Sequence, residues 1–298
     1  MISRKFIIWA CGLLFVFSSC AEDMVKPIEN DKDAPGTVQD VKTESLPGAV
    51  KFTYTLPSDP DLLYVLAKYT NKTGKVMEFR SSFYTNSVTV EGFGDTDTYK
   101  VELYTVDRSE NRSQPQIVEV APLTPPILSC YESLSVVSDF GGMTFEMDNK
   151  FKSDLAIYVC TPDELGDMVL AETFYSAREE IVYSVRGYDA VPRRFGIFLQ
   201  DKYGNETDTL FTELTPIYER ELDKTKFREM YLQNDSRVDS YDGKMEYVWN
   251  GRISKDGDSG GVGLHTGTGT KDGPAVFTFD LGVLAKLSRF ALWAIQDD

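Results

Sequence analysis

The chain has 298 residues, which is enough for two or three domains. It carries 47 acidic residues against 31 lysines and arginines, so its formal net charge at pH 7 is −16. A surface this acidic repels phosphate backbones, which excludes nucleic acid as a partner. Aromatic residues make up 12% of the chain. An aromatic content this high favours β-structure, because aromatic side chains fit the pleated, half-buried surface of a sheet.

The first twenty residues have the parts of an export signal. Arg4 and Lys5 supply positive charge, and residues 6–17 (FIIWACGLLFVF) form an apolar run that is too short to span a bilayer. Small residues then lead into Cys20. This pattern resembles a bacterial lipobox, which implies that Cys20 becomes the lipidated first residue of the mature protein. The alternative is an ordinary cleaved signal peptide with a cysteine at this position by chance.

The residues after Cys20 indicate where the protein goes and how it is tethered. Ala21-Glu22-Asp23 resembles the surface-export signal of lipoproteins from glycan-foraging Gram-negative bacteria. The resemblance implies an outer-membrane lipoprotein, anchored to the membrane by its lipid and exposed at the cell surface. Residues 21–33 are polar and without periodicity, and they are predicted to be a tether to the first domain.

Two cysteines remain in the mature chain beyond the lipidated one. Cys11 leaves with the signal peptide, so only Cys130 and Cys160 are left to pair. Outside the cytoplasm two thiols can form a disulfide. The sequence leaves open whether they do so or stay as two buried free thiols. It has no C-x-x-C motif and a single histidine, which excludes a zinc or redox site of the usual kind.

Short alternating segments separated by turn residues begin at residue 34 and predict a β-sandwich. Residues 51–56 (KFTYTL) place Phe52, Tyr54 and Leu56 on one face, and the sequence PSDP at 57–60 ends that strand. Almost no segment has a sustained helical period. Further strands are predicted at 62–69, 88–90, 99–106 and 117–120.

A unit of just over ninety residues occurs twice in the chain. That length is too large for a solenoid repeat and fits an immunoglobulin-like sandwich. We expect Leu103 to lie in a core strand equivalent to the one holding Ile197 or Phe198. The matching segments are 61–65 with 154–159, 90–93 with 185–188, Asp107, Asn111 and Ser113 with Asp201, Asn205 and Thr207, and 123–125 with 214–216.

The first unit resembles a fibronectin type III domain. The resemblance rests on the Pro35-Gly36 entry, the Pro47-Gly48 turn, the strand Tyr99-x-Val101-x-Leu103 and the Asp107…Asn111 turn that follows it. We therefore predict an all-β fold with two immunoglobulin-like, fibronectin type III-like sandwiches at 34–123 and 124–218. The N-x-[ST] matches at Asn71, Asn111 and Asn205 are interpreted as turns, because Asn bonds nearby backbone.

The C-terminal part has a different texture. A charged stretch at 219–230 is predicted to be a linker or a helical turn. Trp249-Asn250-Gly251, followed by F-x-F-D-L-G at 277–282 and an apolar segment, resembles the discoidin, or galactose-binding-like, jelly roll. Such domains are longer than the residues that remain. We therefore expect 231–298 to be an incomplete jelly roll.

No arrangement of residues indicates catalysis. The only histidine, His265, lies in the Gly/Thr-rich loop GLHTGTGT without a nucleophile motif. Carboxylate pairs of the glycosidase kind are expected by chance among 47 acids. The loop around Asp256 and Asp258 has a D-x-D-x-G pattern with oxygen ligands that suit calcium, although it lacks the distal glutamate of an EF-hand. A structural calcium ion and a flexible acidic turn both fit this loop.

Sugar binding would use aromatic rings that stack on the apolar face of a pyranose, with polar side chains reading the hydroxyl groups. The candidates in the third domain are Trp249, Tyr247, Tyr241 and His265. Trp249, directly before a turn, is also a candidate for the domain core.

The order of lipobox, tether, two fibronectin-like modules and a discoidin-like module resembles surface lipoproteins encoded in polysaccharide-utilisation loci. The resemblance implies a non-catalytic protein that binds a polysaccharide or oligosaccharide for a partner TonB-dependent transporter, beside companion surface lipoproteins. Two alternatives remain from the sequence. One is a structural spacer or adhesin that binds protein, and the other is an accessory part of an extracellular glycoside hydrolase.

Overall fold

The structure, a computed structural model, describes residues 32–238, 243–252 and 275–292. These residues are almost entirely strands and turns, as predicted. The chain divides into two compact units, one comprising residues 1–129 with 202–205 and the other 130–201 with 206–298. No helix of the described residues has the length and hydrophobicity that a membrane crossing requires.

The first unit contains a sandwich of two antiparallel sheets. The smaller sheet has the order β1-β2-β5 and the larger one β4-β3-β6-β7. This three-plus-four arrangement is that of an immunoglobulin-like sandwich, which confirms the predicted fold class. The strands are β1 (Gln39–Leu46), β2 (Ala49–Thr55), β3 (Leu62–Thr70), β4 (Val76–Ser82), β5 (Ser87–Glu91), β6 (Tyr99–Asp107) and β7 (Gln116–Val120).

Alternation in β2 creates the core of this sandwich. Val50, Phe52 and Tyr54 are buried while the residues between them are exposed, because side chains on a strand point to opposite faces in turn. They pack with residues of β3 and β6, among them Leu103, into one hydrophobic cluster. Tyr69 adds a stack on Phe93, with ring centroids 4.4 Å apart.

The second unit repeats this topology. Its sheets have the orders β12-β9-β8 and β11-β10-β13-β14, and Ile197 in β13 is fully buried like Leu103 in β6. The prediction that these two residues occupy equivalent core strands is confirmed. The strands are β8 (Ser135–Asp139), β9 (Gly142–Asp148), β10 (Leu155–Pro162), β11 (Met168–Ser176), β12 (Glu180–Arg186), β13 (Arg193–Asp201) and β14 (Leu210–Leu214).

The repeated Asp/Asn/Ser turn has a local hydrogen-bonding role. The Asp107 carboxylate accepts bonds from the backbone N–H groups of Ser109 and Asn111, each at 2.8 Å. The Ser113 hydroxyl accepts from the Thr105 N–H at 3.1 Å, and in the second unit Thr207 accepts from the Leu199 N–H at 3.0 Å. Side chains thus satisfy backbone donors where the ladder ends.

One element of the predicted repeat is out of register. Leu123-Thr124-Pro125 matches Leu214-Thr215-Pro216 in sequence, but Leu123 corresponds in the structure to Ile217. Leu123 forms a parallel bridge with Pro47, and Ile217 forms the same bridge with Phe140. In both units the chain leaves the last strand and pairs with the turn between the first two strands. The bridges define the equivalent positions, so the match of 123–125 with 214–216, three common residues, was misleading by three positions.

A short helix, α1 (Pro126–Glu132), was not predicted from the sequence. Proline suits the first position of a helix, where its missing N–H costs nothing. The N–H groups of Leu128 and Ser129 both donate to the carbonyl of Pro125, each at 3.1 Å. Seven residues are too few for a visible 3.6-residue period.

The two remaining cysteines are free thiols, so the disulfide alternative is not the one the structure has. Cys130 is buried in α1 and its thiol donates to the Asn149 side-chain oxygen at 3.6 Å. Cys160 lies on the face of β10 opposite its buried residues and is half-buried. Burial raises the pKa of Cys130 to about 11 and also raises that of Cys160, so both stay protonated and poorly reactive at neutral pH.

The charged stretch at 219–230, predicted as a linker or a helical turn, holds a helical turn and a strand. Residues Lys224–Lys226 form a 3₁₀ turn, and β15 (Arg228–Met230) pairs antiparallel with β16 (Thr278–Asp280). A second 3₁₀ turn spans Met245–Val248. β16 is the only strand in the described part of 231–298, and its partner β15 lies in the stretch before it, so the jelly roll predicted there stays a prediction.

Candidate functional site

An open pocket of about 530 Å³ lies in the C-terminal part of the second unit. It brings together Tyr247 and Trp249, the two members of the predicted sugar-binding set that the structure describes. The sequence had predicted them only as candidates within the same domain. The other two members, Tyr241 and His265, lie outside the described residues, as do the calcium candidates Asp256 and Asp258. The pocket is lined by Lys224, Thr225, Glu246, Tyr247, Trp249, Asn250 and Gly251.

Two phenylalanine rings that do not line the pocket pack against Trp249, which does. The ring centroids of Trp249 lie 5.1 Å from Phe279 and 5.8 Å from Phe227, and Phe227 lies 5.9 Å from Phe279. Phe279 belongs to β16 and Phe227 directly precedes β15, so the small sheet holds the cluster in place. Trp249 is therefore both a packing residue and a pocket residue, and its indole remains half-buried rather than enclosed.

The polar side of the pocket is built on the first 3₁₀ turn. The Asp223 carboxylate caps this turn by accepting from the N–H of Thr225 at 3.1 Å and from its hydroxyl at 2.6 Å. The bonds from Thr225 lower the pKa of Asp223. Capping fixes the backbone of Lys224 and Thr225, so their side chains face the pocket from a defined position. A D-x-T sequence before a turn could have pointed to this edge of the site.

Charges at the pocket are balanced rather than of one sign. The Lys224 ammonium lies 2.5 Å from a Glu221 carboxylate oxygen, and Glu246 lies 3.8 Å from the ammonium of Lys244. The hydrogen bond from Lys224 lowers the pKa of Glu221, so this carboxylate is ionised at neutral pH. A pocket lined by two aromatic residues, Tyr247 and Trp249, with balanced charges and amide and hydroxyl groups, suits a neutral, polyhydroxylated ligand.

The described residues contain no group of three or more His, Cys, Asp and Glu side chains able to hold a metal ion. Acidic residues of the second unit are instead tied to arginines. The Arg186 guanidinium lies 2.8 Å from Asp139 and 3.4 Å from Glu219. Hydrogen bonds, first of all from Thr144, lower the pKa of Asp139.

Glu219 fastens the C-terminal segment to the second sandwich. Its carboxylate accepts from the Ser288 hydroxyl at 2.6 Å and pairs with Arg289 at 3.2 Å, while also pairing with Arg186 of β12. The Glu219 side chain is 14% exposed. A partly buried carboxylate with three donors contributes more than a surface pair does. Sequence reasoning missed this role, because the partners are 33 and 69 residues away along the chain.

Replacing Glu219 with alanine is expected to loosen residues 275–292 while both sandwiches stay folded. The change removes the acceptor of Ser288 and Arg289 and leaves Arg186 with one fewer partner. Limited proteolysis should then cut this segment several times faster than in the wild-type chain. The control is Glu213→Ala on β14, an exposed position outside the network. Equal cleavage rates for the Glu219 and Glu213 variants would contradict the fastening role.

Two family models match the chain. Residues 35–122 match a model described as Domain of unknown function (DUF4959), and residues 123–225 match one described as Domain of unknown function (DUF5126). The boundary between the two matches falls at the end of the first sandwich. Among curated proteins, no sequence matches the chain.

Several solved structures are similar to parts of the chain. A structure titled SusE-like protein is 30% identical, with 55% of this chain and 57% of that one covered and a TM-score of 0.34. A two-domain fibronectin type III segment of chicken tenascin is 12% identical, covering 60% and 99%, with a TM-score of 0.29. A fibronectin type III domain of the human collagen alpha-1(XX) chain is 14% identical, covering 33% and 93%, with a TM-score of 0.28. The chain thus spans little more than half the length of the SusE-like protein.

Proposed function

We propose that this chain is a non-catalytic, lipid-anchored protein of the outer-membrane surface that binds polysaccharide for uptake by a partner transporter. The observation that carries the proposal is the pocket of Tyr247 and Trp249, where aromatic rings meet uncharged polar groups and balanced charges. Aromatic faces stack on the apolar face of a sugar ring, and Thr225 and Asn250 supply groups that can read hydroxyls. The lipobox-like sequence around Cys20 supplies the anchor.

The finer parts of this proposal follow from the sequence resemblance. Residues 231–298 would belong to a discoidin-like, galactose-binding-like module, and the Asp256 and Asp258 loop would hold a structural calcium ion there. The transporter would be TonB-dependent, with companion surface lipoproteins at the same membrane. Oligosaccharides released at the surface would be ligands as well as the intact polymer, because one pocket of this volume holds only a short stretch of chain.

Replacing Trp249 with alanine is expected to lower affinity for the bound polysaccharide about tenfold or more, since the indole supplies the largest stacking face of the pocket. The measurement is native affinity electrophoresis of the mature chain in gels containing starch, xylan, mixed-linkage β-glucan, galactomannan, galactan or α-mannan. Wild-type mobility should fall in at least one gel, and the variant should migrate nearly as it does without polysaccharide.

Two further variants separate stacking from packing. Trp249→Phe keeps an aromatic ring beside Phe227 and Phe279 and should retain part of the retardation. Tyr231→Ala removes an exposed ring that does not line the pocket. This variant should be retarded as strongly as wild type. The proposal is wrong if the wild-type chain is retarded by none of the six polysaccharides, or if Trp249→Ala is retarded as strongly as wild type.

A further inference from the structure

A second aromatic surface lies on the first sandwich, in the turn between β4 and β5. Tyr84 is 84% exposed, and its ring packs on that of Phe83 with centroids 4.0 Å apart. Phe83 is half-buried below it. We call these two rings the Phe83–Tyr84 platform. The lower ring supports the upper one, so a broad apolar face stays presented to solvent.

The backbone of the platform is held by hydrogen bonds on every side. The N–H of Phe83 donates to the Leu63 carbonyl at 3.2 Å, and that of Thr85 donates to the Ser82 carbonyl at 2.9 Å. The Asn86 carbonyl accepts from the Tyr54 N–H at 2.9 Å. A surface fixed in this way before binding loses little conformational entropy when a ligand arrives.

The second sandwich shows that the fold does not require these rings. Its corresponding turn, between β11 and β12, consists of Ala177, Arg178 and Glu179, and the nearest aromatic pair, Phe174 and Tyr175, lies within β11 rather than in the turn. Both turns connect the same pair of strands in the same topology. The aromatic pair of the first sandwich is therefore an addition to a turn that closes without it. What distinguishes this pair from a single exposed ring is that two packed rings together present a larger apolar face to a ligand.

The chain segment that carries the platform is polar and holds no acidic residue, which is unusual for this chain. Residues 79–90 (FRSSFYTNSVTV) contain no acid in a protein whose net charge is −16. The one cation among them, Arg80, lies over the ring of Tyr64, 5.2 Å from its centroid. Hydroxyl and amide side chains occupy the remaining positions beside the rings, namely Ser81, Ser82, Thr85, Asn86 and Ser87.

We propose that the Phe83–Tyr84 platform is a second carbohydrate site, which stacks one pyranose unit of a neutral polysaccharide on the Tyr84 ring. The ligand class rests on the proposed function, but the site is separate from the pocket of Trp249. Neutral rather than acidic glycans fit, because the protein as a whole repels anions and the platform offers only one arginine. Hydroxyl groups of the sugar meet the serine and threonine side chains beside the ring.

The test is the affinity electrophoresis described above, applied to the mature chain with Tyr84→Ala, with Trp249→Ala and with both changes. Tyr84→Ala should raise the dissociation constant derived from the retardation about five- to tenfold. The double variant should show no retardation at all. Tyr84→Phe keeps the ring and should stay within about twofold of wild type. Tyr175→Ala on β11 removes a similarly exposed ring, at 74%, and should have no effect.

The outcomes distinguish the two proposals. If Trp249→Ala abolishes retardation and Tyr84→Ala leaves it unchanged, the platform is not a sugar site while the pocket remains one. Retention by polygalacturonate gels alone would overturn the assignment to neutral glycans. If the wild-type chain is retarded in no gel, both proposals fail. Weakening by Tyr84→Ala that is absent from Tyr84→Phe, both measured with Trp249 intact, supports the platform.

Discussion

Replacing Cys20 with alanine is expected to move the protein from the membrane fraction almost entirely into the soluble fraction. The proposed lipid is attached through this thiol, and each of its methylenes buried in the membrane would contribute about 0.8 kcal/mol to membrane binding. No other feature near the N-terminus of the mature chain replaces the membrane-binding free energy of the lipid, since residues 21–33 are polar. The protein's net charge of −16 also disfavours binding to anionic membranes. Fractionation and immunoblotting of cells that produce the variant measure the shift.

A matched variant removes a different thiol. Cys160→Ser alters a half-buried, unpaired cysteine on the outer face of β10 and should leave the protein with the membranes. Protease added to intact cells then reports exposure, and the wild-type protein should be digested at the surface. A Cys20→Ala protein that still sediments with membranes and is digested like wild type would show that the lipobox interpretation is wrong.

Alternating patterns were enough to predict the two sandwiches. Phe52 and Tyr54 are buried on one face of β2 because a strand with one buried face must alternate. The repeat placed Leu103 and Ile197 in equivalent strands, and both are fully buried. These predictions succeeded because the alternation of apolar and polar residues that marks a half-buried strand can be read from a few neighbouring residues. The equivalence of Leu123 and Ile217 depends instead on their bridges to Pro47 and Phe140, which are far away along the chain.

Contacts between distant residues account for what the sequence could not predict. Cys130 and Cys160 could have paired by count, but whether they do depends on which face of β10 carries Cys160. The arginines that hold Glu219 come from β12 and from the C-terminal segment, and no local pattern links them. Trp249 and Tyr247 were found from residue type. The stretch that supplies Lys224 and Thr225 to the same pocket was predicted only as a linker or a helical turn, with no link to the site.

Replacing Phe145 with alanine is expected to destabilise the second sandwich by about 3–5 kcal/mol, the usual cost of deleting a buried phenyl ring. Phe145 in β9 is fully buried. Its ring meets Phe174 edge-on at 5.5 Å and lies 6.0 Å from Tyr183, its partner on β12. The cavity removes contacts to both sheets at once. Since a domain is stable by only about 5–15 kcal/mol, this one change consumes much of the margin.

Hydrogen exchange followed by mass spectrometry locates the effect. Amides of β8, β9 and β12 should exchange faster by two or more orders of magnitude in Phe145→Ala, because opening of the sandwich becomes more frequent. Phe211→Ala is the control: this ring is 47% exposed on β14, with the Arg194 guanidinium 4.0 Å above it, and its loss should cost less than about 1 kcal/mol. Equal exchange in the two variants would mean that Phe145 is not a core residue. Exchange in β2 and β6 reports the first sandwich, where Phe52→Ala should produce the corresponding loss of protection.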